Sequence, residues 1–195
     1  MLDFGFLLIS LPILLIVITV HEFAHAFVAD RLGDPTPRLA GRLTLNPISH
    51  IDPIGFLMLI LVRFGWAKPV PINPYNFRNP RQGSLLVSLA GPLSNFMLAW
   101  VIAVLYRFLP IGYGGMVFAY IIEYTIWINL ALAVFNLIPV PPLDGSHILE
   151  YFLPAHQYEI TLRMQQYGMF ILLAIIFFGQ PVLFAIIEAL YRLIV

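Results

Sequence analysis

Two imidazoles and a carboxylate fall within five residues at the end of an apolar run. They are His21, Glu22 and His25, in the stretch T-V-H-E-F-A-H-A-F-V-A-D from Thr19 to Asp30. On an α-helix, residues four apart share a face, so His21 and His25 can aim their rings at a single metal ion while Glu22 lies beside them. This is the H-E-x-x-H arrangement of zinc hydrolases. In it two neutral imidazoles ligate, and the carboxylate takes a proton from a water that zinc has acidified.

The five-residue pattern occurs by chance in many helices, and its setting narrows the reading. Phe4 to Val20 carries no charge, which makes a membrane helix, and ionisable groups at such depth are costly unless paired or functional. A lone buried histidine can be a packing residue. His, Glu and His together in a lipid-flanked helix require a partner such as a metal. Composition agrees with this setting: 195 residues, 61% hydrophobic and 10% charged, with mean hydropathy +0.91, are too apolar for an ordinary soluble domain. Net charge is zero and no basic tract occurs, so nothing points to nucleic acid. With no cysteine, disulfides and thiolate-ligated zinc are excluded, and any zinc must be held by His, Asp or Glu.

The elements that must position this site follow from the charges and prolines. Asp3 is the only charge before the first apolar run, which lacks the positive start of a signal peptide, so residues 1–30 read as a first membrane helix interrupted by Pro12. Arg31 to Ile51 is a polar loop. Pro53 to Val62 is uncharged but only ten residues long, too short for a bilayer core of about 30 Å, and reads as re-entrant or interfacial. Pro69, Pro71, Pro74 and Pro80 make Gly65 to Gly83 a second loop. Three longer uncharged runs then follow, Gln82–Tyr106, Tyr124–Leu143 and Met164–Ile187, each long enough to cross. The connector Gly145 to Arg163, with His147, Glu150, His156 and Glu159, reads as surface helices and loop. His50 and His156 read as loop residues. The expected fold is an all-α polytopic membrane protein of about four transmembrane helices, with possible short β-strands beside the re-entrant segment.

Of ten Lys and Arg, seven lie between Arg31 and Arg81 and one, Arg163, in the connector. The excess of positive charge places 31–83 and 144–163 on the cytoplasmic side. At about 1.5 Å per residue, His21 then lies roughly 25 Å along the helix from Phe4, near the cytoplasmic edge of the hydrocarbon.

A further ligand is available in Asn136 to Gly145, N-L-I-P-V-P-P-L-D-G. Asp144 ends an apolar span at about the depth of His21 and His25. Pro139, Pro141 and Pro142 stop the helix, and Gly145 permits a tight turn after the carboxylate. The alternative is an Asp that caps a surface helix starting near Ser146.

With both stretches in hand, the chain resembles the site-2 proteases, a family of intramembrane zinc metalloproteases whose signatures are H-E-x-x-H in one membrane helix and N-x-x-P-x-P-x-L-D-G in a later one. The similarity extends to Gly91-Pro92-Leu93-Ser94-Asn95 and to W-A-K-P-V-P-I-N-P, Trp66 to Pro74, and so covers most of the chain. It implies one zinc ion bound by His21, His25 and Asp144. Glu22 would be general base and then acid, and Asn136 would orient the substrate carbonyl or stabilise the oxyanion. Asn95 joins the candidate substrate-binding residues through the Gly91–Asn95 similarity. His147 is expected at the surface or behind the ligands. Only Arg107 to Gly115 separates two of the spans, so no PDZ domain fits there, and with no nucleotide-sensing module the chain resembles the minimal subgroup: a single intramembrane metalloprotease domain over 1–195. The expected partners are a transmembrane protein substrate and the lipid bilayer.

Cleavage of a helical substrate requires local unwinding, because helices hide their carbonyls in internal bonds. Trp66 to Asn73 could supply an edge strand, with Val70 and Ile72 donating N–H groups to the unwound segment while Pro69 and Pro71 leave the other edge without donors. A proline-rich turn that anchors the loop is the alternative. Two rivals from other classes are a zinc transporter, which needs ionisable groups along a path across the bilayer, and an inactive zinc-binding homologue, which would lack a ligand or the glutamate.

Single cysteines at Asn46 and Asn76 can be labelled without background. Both are expected to react from the same side of the membrane, and labelling from opposite sides would show that Pro53–Val62 crosses it.

Overall fold

The computed structural model describes residues 4–62, 65–110, 113–154 and 158–195. Eight α-helices are present among them: α1 Phe4–Arg31, α2 Thr36–Leu39, α3 Pro53–Val62, α4 Pro80–Arg107, α5 Gly115–Asn136, α6 Asp144–Phe152, α7 Tyr158–Phe178 and α8 Gln180–Ile194. Four helices among the described residues are long and apolar enough to cross a membrane, within α1, α4, α5 and α7. The protein is a multi-pass, all-α membrane protein. The chain divides into two compact units, Met1–Gly91 and Pro92–Val195, with the divide inside α4.

In the first unit, α1 is one apolar helix with Pro12 in its interior and Arg31 in its last turn. The loops after it are polar and densely bonded. Asn46 caps the short 3₁₀ turn Pro47–His50 by accepting from the Ile48 N–H at 3.1 Å, with Pro47 pre-set for the first helical position. Asn79 likewise opens α4, accepting from the Gln82 N–H at 3.2 Å. Ala29 of α1, Phe77 and Val87 of α4 form a buried cluster, with Ile72 packed against it. No strand occurs among the described residues. The expected short strands reduce to one isolated antiparallel bridge between Ile51 and Ala67, because Pro69 and Pro71 remove every second donor from the segment that would extend it.

Asp34 ties this unit together. Fully buried, it accepts from the Thr36 N–H at 3.0 Å, the Thr36 hydroxyl at 2.5 Å, the Asn73 N–H at 2.7 Å and the Asn76 amide at 2.7 Å. Its own N–H is fixed to the Ala29 carbonyl at 3.0 Å. Burial pushes its carboxyl up, but these four donors outweigh burial and hold it below the usual range.

In the second unit, Ala99 and Ala103 of α4, Ile126 and Leu130 of α5, and Ile187 and Ile194 of α8 form one buried core. Small residues on α4 let helices approach closely, the usual means of packing where lipid gives no hydrophobic drive. Val140, Leu143 and Leu172 of α7 form another cluster. Gly168 admits the proline turn to α7, since a Cβ there would lie 2.6 Å from the Pro141 carbonyl.

Two spans differ from the sequence reading. α5 runs from Gly115 to Asn136, a turn or more N-terminal to the uncharged run Tyr124–Leu143, and so contains Glu123. Gly114, with φ of 72°, begins it, and the chain leaves the helix ahead of Pro139, which cannot continue it. The run Met164–Ile187 is not one span: α7 ends at Phe178 and α8 begins at Gln180, because Gly179 stands at the junction and Pro181 suits a first turn.

Replacing Asp34 by Ala leaves four donors, most of them partly shielded from water, without their acceptor and is expected to cost on the order of 1–3 kcal/mol at pH 7. A carboxyl held low stabilises the fold above about pH 4 and stops doing so as pH falls through its folded-state value. The gap in thermal midpoint between parent and variant should therefore narrow in acid.

Candidate metal centre

α1 carries the chemistry, and α4 supplies what a polar group in an apolar helix needs. His21 and His25 are buried, 5% and 6% exposed. The His25 Nδ1 lies 2.7 Å from the Val87 carbonyl of α4. A carbonyl only accepts, so Nδ1 carries a proton, and in the neutral ring Nε2 presents its lone pair. That Nε2 faces the His21 Nε2 at 3.1 Å, the two rings standing edge to face with centroids 4.6 Å apart.

Whether this pair fits zinc can be tested on distance. Nitrogens bound at about 2.0–2.1 Å in tetrahedral geometry lie roughly 3.3 Å apart. The observed 3.1 Å matches two ligands turned toward one ion. Gly91 leaves the room: a Cβ built on it would lie 2.4 Å from the His25 Nε2 and 2.7 Å from the His21 Nε2. The donor atoms thus converge where any larger residue would put carbon. The histidine that orients on a backbone carbonyl through its other nitrogen is the usual support of a metal ligand.

Glu22 is half-buried, and its Oε2 accepts from the Val70 N–H at 3.2 Å. The Val70 donor expected to face substrate is therefore turned to the carboxylate beside the histidines. Ile72 packs on the Ala29 cluster, and among the described residues its N–H has no hydrogen-bond partner. Backbone 68–73 carries no strand.

In the second unit, Asp144 is the first residue of α6 and is half-buried, with Leu143 in the capping position. The helix thus starts at Asp144, two residues before the Ser146 start expected for a capping Asp. Gly145 is required by close approach: a Cβ would lie 2.4 Å from both the Leu137 and Ile138 carbonyls. Asn136 is the last residue of α5, its amide donating to the Leu132 carbonyl at 3.1 Å. Asn95 is fully buried and donates to the Asn129 side-chain oxygen at 3.1 Å, while the Asn129 amide donates to the Thr125 carbonyl at 2.8 Å. Sequence reading passed over Asn129. Its signal was a lone amide one heptad before Asn136 in an apolar helix, a spacing that puts both near one face.

The remaining histidines separate. His147 is exposed and pairs with Glu150 at 3.1 Å. His50, expected as a loop residue, is in a turn but buried at 1% exposure, its Nε2 2.8 Å from the Thr44 carbonyl. His156 lies outside the described residues.

Comparison with known proteins gives the same direction. The sequence profile described as Peptidase family M50 matches residues 113–179. YwhC of Bacillus subtilis (strain 168) is 40% identical over 185 residues, covering 90% of this chain and 84% of that protein. Rip2 of Mycobacterium tuberculosis (strain ATCC 35801 / TMC 107 / Erdman) is 32% identical over 165 residues, 77% of this chain and 62% of that protein. Both are named "Putative zinc metalloprotease". The "Zinc metalloprotease MJ0392" of Methanocaldococcus jannaschii is 28% identical over 142 residues, 72% of this chain and 33% of that protein. No solved structure matches.

A methyl at Gly91 would intrude on both Nε2 atoms. Gly91→Ala is therefore expected to lower zinc to well under one ion per chain, measured by elemental analysis of the purified protein, while the helical content stays at the parent level.

Proposed function

The chain belongs to peptidase family M50, the site-2 proteases, and from this premise we propose that it hydrolyses peptide bonds within or beside the transmembrane segments of other membrane proteins. The observation that carries the reading is the convergence of the His21 and His25 Nε2 atoms, with the Glu22 carboxylate next to them on α1.

His21, His25 and Asp144 would hold one zinc ion, two imidazoles and a carboxylate being a donor set that zinc accepts. Bound there, zinc supplies Lewis acidity, to the scissile carbonyl and to a water. Glu22 takes the proton of the attacking water and returns it to the leaving nitrogen, held meanwhile by the Val70 N–H. The Asn136 amide orients the substrate carbonyl or steadies the charge that develops on it. Asn95 and the Val70–Ile72 backbone bind the unwound substrate; of the two N–H groups, Ile72 is the one that can donate without leaving Glu22.

In this reading the whole chain acts as a single metalloprotease domain in the cell's inner membrane, with the site toward the cytoplasmic face where seven of ten basic residues cluster. Among the described residues, the four spanning helices give a transporter few ionisable steps: α5 holds Glu123, and α7 holds Glu159 and Arg163 in its first turns.

Glu22→Gln is expected to keep about one zinc per chain and lose at least a hundredfold in cleavage of a tagged single-pass substrate, the scale of a general base. His21→Ala, His25→Ala and Asp144→Ala are expected to lose zinc and activity together. Full zinc and full cleavage in Asp144→Ala would remove Asp144 from the ligand set.

A further inference from the structure

Arg42 is a buried guanidinium to which nothing above gives a role. It is 4% exposed, in the loop after α2. Its two terminal nitrogens donate to two carbonyls, Nη1 to Ser49 and Nη2 to Lys68. Among the described residues no carboxylate pairs with it directly, yet the charge of Glu22 reaches it: burial pushes the guanidinium below its ordinary value and the Glu22 carboxylate pushes it back up.

The place of Lys68 gives that fork its meaning. Lys68 stands two residues before Val70, whose N–H holds the Glu22 carboxylate. The far end of the same segment is fixed as well, since Asp34 takes the Asn73 N–H and is itself bonded to Ala29 of α1. Residues 68–73 therefore form a strap across Glu22, pinned at one end by a buried cation and at the other by a buried anion. Between Pro69 and Pro71, which have no N–H, Val70 is the only donor the strap can offer there.

Joining the two loops does not by itself require a charge. The Lys68 N–H already bonds the His50 carbonyl at 3.0 Å, and Ile51 bridges to Ala67. Burying a guanidinium is costly before any compensation, out of proportion to a link the backbone already makes. What the guanidinium adds is a planar fork that fixes the register of both carbonyls, and a positive charge that interacts with Glu22.

We propose that Arg42 is a positioning residue for the reaction, fixing the 68–70 backbone so that the Val70 N–H holds Glu22 in one orientation. The inference rests on Glu22 being the general base and adds the device that aims it. An oriented base matters because proton transfer depends on geometry first. Arg42 itself touches neither substrate nor metal ligand.

The test is a double-mutant cycle on the full-length, zinc-loaded protein in lipid, with kcat and KM measured on a single-pass substrate. Arg42→Lys keeps a cation but not the fork. Val70→Pro keeps an extended backbone and removes the one N–H. Each is expected to lower kcat roughly tenfold to a hundredfold, within the range a positioned base contributes, with KM within about twofold and zinc still near one per chain. In the double variant kcat should fall no further than in Val70→Pro alone, since both changes act through one bond. Multiplying losses would overturn the proposal. So would parent-like kcat in Arg42→Lys, a rise in KM alone, or a loss of zinc, the last marking Arg42 as part of the scaffold only. Arg42→Ala, if it fails to fold, leaves the decision to these two variants. Should Glu22→Gln still cleave, the general-base reading fails whatever Arg42 does.

Discussion

The bond between the His25 Nδ1 and the Val87 carbonyl sets the terms for the rest of the first unit. An imidazole in an apolar helix has two nitrogens to satisfy and few polar groups of its own helix to do it. At 2.7 Å the carbonyl of α4 accepts a hydrogen bond from the Nδ1–H, and in the neutral ring Nε2 is then the nitrogen that presents a lone pair. His21, one turn away, presents its own Nε2 to the same point. α4 can come close enough to make the bond because residue 91 has no side chain. Ligand chemistry, helix packing and the glycine are one requirement seen from three sides.

A second requirement concerns the carboxylate. Glu22 shares the helix with the histidines but cannot use the same partner, and its support comes from a loop more than forty residues later in the chain. That loop has few means of holding itself in place, because its alternating prolines prevent both a helix and a strand ladder. Asp34 and Arg42 supply the restraint from outside it. Both are buried and charged: Arg42 bonds two backbone carbonyls of other segments, and Asp34 takes the Asn73 N–H and the Asn76 amide of the loop. Buried ions of this kind fix a specific arrangement, a role attested for buried polar groups elsewhere.

In the second unit the same economy appears with neutral groups. Asn95 donates to the Asn129 side-chain oxygen inside the bundle, and the Asn129 amide donates to a carbonyl of its own helix. Gly145 and Gly168 are needed where backbone meets backbone around the proline turn that carries Asp144. Neither has positive φ among the special backbone positions. Their value lies in the missing Cβ.

The sequence by itself determined the membrane class and the shared face of His21 and His25, and it offered Asp144 as a candidate ligand, because each rests on local facts: run length, helical spacing and the stiffness of proline. It placed α1 and α4 within a few residues of their observed limits. It misjudged α5 and the last span, where uncharged length was taken as helix length although Gly114, Gly179 and Pro181 decide the ends. Partners of the polar groups were beyond it. That Val70 serves Glu22 and not an open edge, that Arg42 and Asp34 pin one strap and that Gly91 makes room for two imidazoles all depend on residues 20 to 70 positions apart. Such pairings follow no periodicity, since they are settled by which backbone groups are left unsatisfied once the helices have packed, and only the tertiary structure decides that.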